Sequence, residues 1–136
     1  ALVDAANIAS LRHLVPIGAH DIDSFVGDIE VRPASGDDSF VPFGSSDPEA
    51  VPRGELVYVS GTQVRTRRWV WRQSEIGKIS GLTRRVFFPV DGFAGKTDAA
   101  VKRARDDLAA LCGELLGAAV RELWVDARTP GVVLLE

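Results

Sequence analysis

Leu2-Val3-Asp4-Ala5-Ala6-Asn7-Ile8-Ala9-Ser10-Leu11-Arg12-His13-Leu14, continued by Val15-Pro16-Ile17-Gly18-Ala19-His20-Asp21, is the stretch on which the fold turns. Val3, Ala6, Ser10, Leu11 and Leu14 recur at three- and four-residue spacing, the period of an amphipathic helix. Pro16 and Gly18 supply its stop, since proline has no N–H to continue the ladder and glycine relaxes the backbone. Asn7 falls on the same stripe, a turn from both Val3 and Leu11, so it is expected to face inward. An amide held there must find hydrogen-bond partners.

Downstream, short β-prone runs alternate with turn formers. Ile29 to Arg32, Phe40 to Phe43 and Leu56 to Val59 are candidate strands, separated by Ala34-Ser35-Gly36-Asp37-Asp38 and by the run from Gly44 to Gly54. The β-branched and aromatic content of Val64 to Gln73 predicts one longer strand, and Val86 to Val90 a buried one. Thr97 is placed to cap a second helix, with Val101, Ala104, Leu108, Leu111, Cys112 and Leu115 as its apolar stripe and Lys102, Arg103, Asp106 and Glu114 outside it. Arg121 to Val125 and Val132 to Leu135 read as closing strands. The expected class is α+β: a mixed or antiparallel sheet packed with an N-terminal helix and a longer C-terminal helix, forming a single domain over residues 1–136.

With 46% hydrophobic and 26% charged residues, the 136-residue chain has enough apolar surface for one core. Cys112 is the sole cysteine, which excludes an intrachain disulfide and a paired-cysteine zinc site. His13 and His20 lack metal-ligand spacing with a second donor and read as structural or surface residues, so neither metal nor cofactor is expected. No apolar run is long enough for a membrane span, and no leader pattern precedes the first helix. A cytoplasmic protein without a membrane partner is the expectation. The chain begins at Ala1 and contains no methionine, so a portion upstream of it is expected too.

The net charge of −3 conceals an asymmetry. Residues 1–64 carry 3 basic and 10 acidic side chains, whereas residues 65–85 carry 7 basic and 1 acidic. If Val64 to Gln73 runs as one strand, Arg65, Arg67, Trp69, Trp71 and Gln73 share a face opposite Val64, Thr66, Arg68, Val70 and Arg72. Arginine beside exposed aromatic rings is what stacking on unpaired bases and contacting phosphates requires. The alternative is that the two tryptophans fill the core or wall a pocket while the arginines form a solvated rim. Lys78, Arg84 and Arg85 extend the basic island.

Leu2-Val3-Asp4-Ala5-Ala6-Asn7, followed at the right distance by Pro16-Ile17-Gly18-Ala19-His20-Asp21, resembles the paired motifs VDxTN and QPxHxFD of the editing domain in the phenylalanyl-tRNA synthetase beta chain. Gly27-Asp28-Ile29-Glu30-Val31-Arg32, Gly54-Glu55-Leu56-Val57-Tyr58 and Thr83-Arg84-Arg85-Val86-Phe87-Phe88 continue the resemblance in order. Ser10-Leu11-Arg12, Pro16-Ile17-Gly18, Asp21 and Arg68-Trp69-Val70-Trp71-Arg72-Gln73 are closer to stand-alone bacterial relatives of that domain. The resemblance covers about Leu2 to Val90 and corresponds to the C-terminal two-thirds of the family's domain, which begins upstream of Leu2.

The resemblance implies a tRNA-binding, editing-type domain that hydrolyses mischarged aminoacyl-tRNA in trans, without a cofactor. Its partners would be tRNA or aminoacyl-tRNA, and the N-terminal portion if that is a separate chain. Alternatives are a non-catalytic module for RNA or an aromatic amino acid, and recruitment to other small-molecule chemistry. Of the family's polar pocket, the threonine before the asparagine is Ala6 here, the motif histidine is Gly18 and the glutamate of the buried strand aligns with Pro89. Asn7 stays in place and Asp91 lies two residues past Pro89. Asn7, Asp21 and Asp91 are the candidate catalytic residues; for Asn7 a backbone tie and for Asp21 a cap remain the architectural alternatives. Gly18, His20, Trp69, Trp71, Gln73 and Glu75 are assigned to substrate binding, and Arg65, Arg67, Arg68, Arg72, Arg84 and Arg85 to RNA.

Overall fold

A computed structural model describes residues 1–135. In chain order the elements are helix α1 (Leu2–His13), strand β1 (His20–Asp21), a 3-10 turn (Ile22–Ser24), β2 (Ile29–Pro33), β3 (Ser39–Phe40), β4 (Glu49–Ala50), β5 (Leu56–Ser60), β6 (Gln63–Arg67), β7 (Arg72–Gln73), β8 (Val86–Phe87) and helix α2 (Asp98–Leu116). The expected α+β class is therefore found: two helices and a mixed sheet. The elements group into two compact units, one of residues 18–89 and one of residues 1–17 with the chain from Val90 onward.

In the helical unit α1 and α2 pack on one another. α1 has nearly the expected bounds, with Leu14 closing it in the left-handed region (φ 54°). Its buried face is rotated from the expected stripe: Ala6 faces inward as expected and Ser10 is half-buried, but Val3, Leu11 and Leu14 do not face inward. Ala5, Ala6 and Ala9 are buried, while Val3, Leu11 and Leu14 are exposed and Asn7 stands with them toward solvent. The helix carries two apolar faces, one small and one large, and periodicity alone does not decide between them. Alanines permit close approach of another backbone, which the large side chains of the opposite face would prevent.

α2 follows its sequence pattern more closely: Val101, Ala104, Leu108 and Cys112 are buried. Burial pushes the Cys112 thiol up from its ordinary pKa, so it is a packed apolar group. Leu115, expected on the stripe, is exposed near the C-terminal end, where Gly117 (φ 60°) turns the chain out of the helix. Thr97 precedes the helix, and its hydroxyl accepts from the Phe93 N–H (2.7 Å), tightening the approach to α2. Residues 121–125 and 132–135 are not strands. They flank a turn in which Asp126 accepts from the N–H groups of Arg128 (2.8 Å) and Thr129 (2.9 Å), but no ladder joins them.

The sheet unit is built around the order β2-β5-β6-β3-β4, with β3 parallel to β6 and the other pairings antiparallel. β6 is paired on both edges: β5 on one, and β3 and then β7 on the other, with Phe40 opposite Val64 and Arg72 opposite Arg67. Ala34, Phe40, Val51, Val57, Val59 and Val64 close into one apolar cluster. β1 and β8 make a separate two-stranded ladder with His20 opposite Phe87.

Candidate nucleic-acid interface

The run Val64 to Gln73 is a hairpin rather than a single strand. β6 ends at Arg67, the chain turns through residues 68–71 and β7 returns at Arg72. The Trp71 N–H donates to the Arg67 carbonyl (3.0 Å), and the Trp69 N–H to Leu56 (2.7 Å) on the neighbouring strand. Arg68 (φ 45°) and Trp69 (φ 63°) both occupy the left-handed region. Hairpin tips ordinarily place Gly or Asn there; a side chain in that region costs on the order of 1 kcal/mol per residue. Trp69 is half-buried and Trp71 is 55% exposed.

Two cations lie near the exposed ring. The Arg68 guanidinium lies 4.5 Å from the Trp71 ring centre and that of Arg72 lies 5.9 Å from it. Arg72 also approaches the buried Phe40 ring at 6.0 Å. An exposed cation–π contact of this kind contributes about 0.5–1 kcal/mol, enough to bias the tryptophan toward one orientation. The tip thus offers an ordered aromatic face with positive charge beside it.

The remaining arginines divide by environment. Arg65, expected to contact RNA, is fully buried on β6 and donates to the Ser24 hydroxyl (2.7 Å), the Ser24 carbonyl (2.6 Å) and the Gln63 side chain (2.9 Å). It offers no surface to a ligand, and burial depresses its pKa. Arg67 is also withdrawn: Nε and Nη2 each meet a Glu55 carboxylate oxygen at 2.8 Å, and Glu49 lies 3.6 Å from Nη1. Val64, Arg65 and Thr66 are buried in succession, so within the β6–β7 hairpin it is the turn and the start of β7 that bring arginines to solvent. Arg68 and Arg72 are exposed there. Arg84 and Arg85 are exposed beside β8, where Arg84 donates to the carbonyls of Gly81 and Thr83 (3.2 Å each) and Arg85 pairs with Asp23.

The other candidate residues are placed differently. His20, assigned to a substrate, is fully buried against Tyr58 and Phe87, its Nε2 3.4 Å from the Thr66 hydroxyl. Burial first and Arg65 second lower its pKa to about 4, so the ring is neutral at neutral pH. Beside it, a side chain at Gly18 would meet Pro89 at 3.1 Å and His20 Nε2 at 3.3 Å. Gln73 donates to the Ala19 carbonyl (2.5 Å), and Glu75 accepts from the Gly44 N–H (2.8 Å) and pairs with Lys78. Asp21 acts as a cap, accepting from the Asp23 N–H (3.0 Å) and the Thr83 hydroxyl (2.9 Å). Asn7 and Asp91 belong to the helical unit, Asn7 exposed on α1 and Asp91 donating its N–H to the Pro16 carbonyl (3.1 Å). Phe43 and Lys78 were not singled out as a pair by sequence reading; the available signal was an aromatic residue next to a glycine inside a turn-forming run.

With this geometry in view, the comparison with known families is decisive: the model of the B3/4 domain matches residues 1–112. The chain belongs to the B3/4 domain family. Among solved structures, this B3/4 domain is similar to an N-terminal fragment of the phenylalanyl-tRNA synthetase beta-subunit from Pyrococcus horikoshii, with a TM-score of 0.66 and 16% identity. The match covers 83% of this chain and 39% of that one. At such identity the likeness is one of fold, consistent with the two helices and mixed sheet described above. No match to this chain was found among curated proteins. No helix among its described residues is long and apolar enough to cross a membrane.

Proposed function

We propose that this B3/4 domain binds tRNA or aminoacyl-tRNA through the β6–β7 hairpin and acts in editing-type hydrolysis of mischarged aminoacyl esters. The observation that carries the reading is Trp71, exposed at a strained tip with Arg68 and Arg72 beside its ring. A tip that keeps arginine and tryptophan where glycine would be easier is one whose side chains are wanted for contact. Stacking on an unpaired base and pairing with phosphate use this combination. The fold's likeness to a fragment of a tRNA synthetase subunit points to the same ligand class.

In the hydrolytic step, water adds to the ester carbonyl carbon, the carbonyl–ribose oxygen bond breaks and the ribose hydroxyl leaves with a proton. Asn7 and Asp91 are candidates for orienting that water or the substrate amine, and such orientation makes modest demands on side-chain identity. A second reading, RNA binding without hydrolysis, is favoured by Asp21, both of whose carboxylate oxygens already accept hydrogen bonds within the domain.

The test is to supply Tyr-tRNA, Phe-tRNA and other aminoacyl-tRNAs to the full chain, measuring both binding and ester loss. Binding that weakens log-linearly with salt and with Trp71→Ala supports the interface. Accelerated ester loss selects editing; binding with no acceleration on any substrate selects the second reading, and no binding at low salt removes both.

A further inference from the structure

We infer that Phe43 forms a second stacking platform beside Trp71, so that the surface accepts two unpaired nucleotides of a single-stranded RNA end rather than a duplex. The inference rests on the proposed RNA-binding reading. Phe43 is 63% exposed, large for an aromatic ring outside a core, and the Lys78 ammonium lies 5.2 Å from its centre. The arrangement at Trp71 is thereby repeated with a different cation and a different ring.

The backbone sets the two platforms on neighbouring segments. Pro42 bridges Ser74, and the Glu75 N–H donates to the Val41 carbonyl (2.9 Å), so the chain leading to Phe43 runs alongside the continuation of β7. Phe43 is the first residue past that bridge, in a turn closed by the Ser45 N–H on the Pro42 carbonyl (2.9 Å). Trp71 immediately precedes β7. The bridge is antiparallel, so Phe43 is carried back toward Gln73, two residues or about 7 Å along the strand from Trp71, on a segment about 4.8 Å to the side. That separation suits two splayed bases better than a single one.

Charge favours the same occupant. Glu75 is engaged by the Gly44 N–H and Lys78, and Glu55 and Glu49 by Arg67. Three glutamates against Arg67, Arg68, Arg72 and Lys78 leave the patch at a net +1, with the unpaired share of that charge on Arg68 and Arg72 next to the Trp71 ring. Base–aromatic stacking tolerates any base, because every base has a π-face, whereas a duplex keeps those faces inside its own stack. An unpaired 3′ terminus presents both bases and phosphates.

The experiment uses the full chain and a short fluorescently labelled RNA ending in CCA, either single-stranded or annealed into a blunt duplex, with whole tRNA as a third probe. Phe43→Ala and Trp71→Ala should each weaken single-strand binding about tenfold, with Phe43→Tyr and Trp71→Phe largely retaining it. The blunt duplex should bind more weakly than the single strand and respond little to either alanine. Circular dichroism of the variants checks that these exposed positions leave the fold intact. If whole tRNA binds and weakens with Trp71→Ala while Phe43→Ala has no effect, or if the duplex binds as well as the single strand, the second platform is overturned and the RNA-binding reading stands. If no RNA binds, both fall, and the paired rings are reassigned to a protein surface.

Discussion

Arg67 and Glu55 face one another across the strand pair β5–β6 as a two-point ion pair, with both side chains only 12% exposed. The same carboxylate accepts from the Arg68 N–H (3.2 Å), so it also anchors the first residue of the strained turn. Hydrogen bonding to Arg67 holds the Glu55 carboxyl below its usual range. Arg67→Ala should therefore cost on the order of 2 kcal/mol of stability, mostly by stranding a sheltered carboxylate. It should leave the affinity of the remaining folded protein for RNA nearly unchanged, while Arg72→Ala does the opposite. Denaturant unfolding and RNA titration on both variants check the separation. A large loss of RNA affinity in fully folded Arg67→Ala would refute it.

Acid should act through His20. Its pKa is near 4 in the fold against about 6.5 in an unfolded chain, so below pH 6.5 the unfolded state binds more protons. Stability is then complete above pH 6.5 and declines as pH falls toward the folded value. Between pH 7 and pH 5 the loss is about 2 kcal/mol from this one ring. His20→Gln should flatten that slope, although it lowers stability at pH 7. An imidazole resonance from His20 that titrates near pH 6.5 in the folded protein would contradict the account.

Asp38 carries a comparable brace at the other edge of the sheet. Its side chain is buried and accepts from Arg32 Nη1 (2.7 Å), Arg32 Nη2 (3.0 Å) and the Ser35 N–H (2.6 Å). The Arg32 guanidinium is the main cause holding this carboxyl below the ordinary aspartate range. Asp38→Asn keeps the shape but loses one charge, and should cost about 2 kcal/mol at neutral pH. The deficit should shrink as pH falls through the depressed pKa of the wild-type carboxyl, where the parent loses the same interaction. A deficit independent of pH would assign the effect to packing.

Sequence legibility followed the number of apolar solutions available to each segment. α2 has one apolar stripe, so Val101, Ala104, Leu108 and Cys112 could be named in advance. α1 has two, and of the buried residues only Ala6 lay on the stripe its period suggested, while Ala5 and Ala9 did not. β2 and β5 were legible as short β-prone runs bounded by turn formers. The hairpin was hidden because Arg68 and Trp69 adopt left-handed conformations without the Gly or Asn that signals a turn. Short β1 and β4 have two residues each, too few for a period. Motif order revealed the family, but the burial of Arg65 and His20 depends on contacts with Ser24, Gln63 and Thr66 that no local pattern records.

Gly77 shows how tightly the buried arginine is enclosed. Its φ is +81°, and a side chain there would lie 2.6 Å from the Ser24 hydroxyl and still closer to Arg65 Nη1. Its carbonyl accepts from the Asp21 N–H (2.9 Å), so the backbone cannot retreat without loosening β1. Gly54 is the natural control, with a similar φ of +88° and nothing within 4 Å of the added carbon. Gly54→Ala should cost about 1 kcal/mol, the left-handed penalty alone. Gly77→Ala adds displacement of a fully buried guanidinium from two Ser24 contacts, and should cost at least about 2 kcal/mol more. Paired urea unfolding measures the difference directly. Equal losses would mean that Arg65 moves aside freely, and that its hydrogen bonds to Ser24 do not hold the 3-10 turn in place.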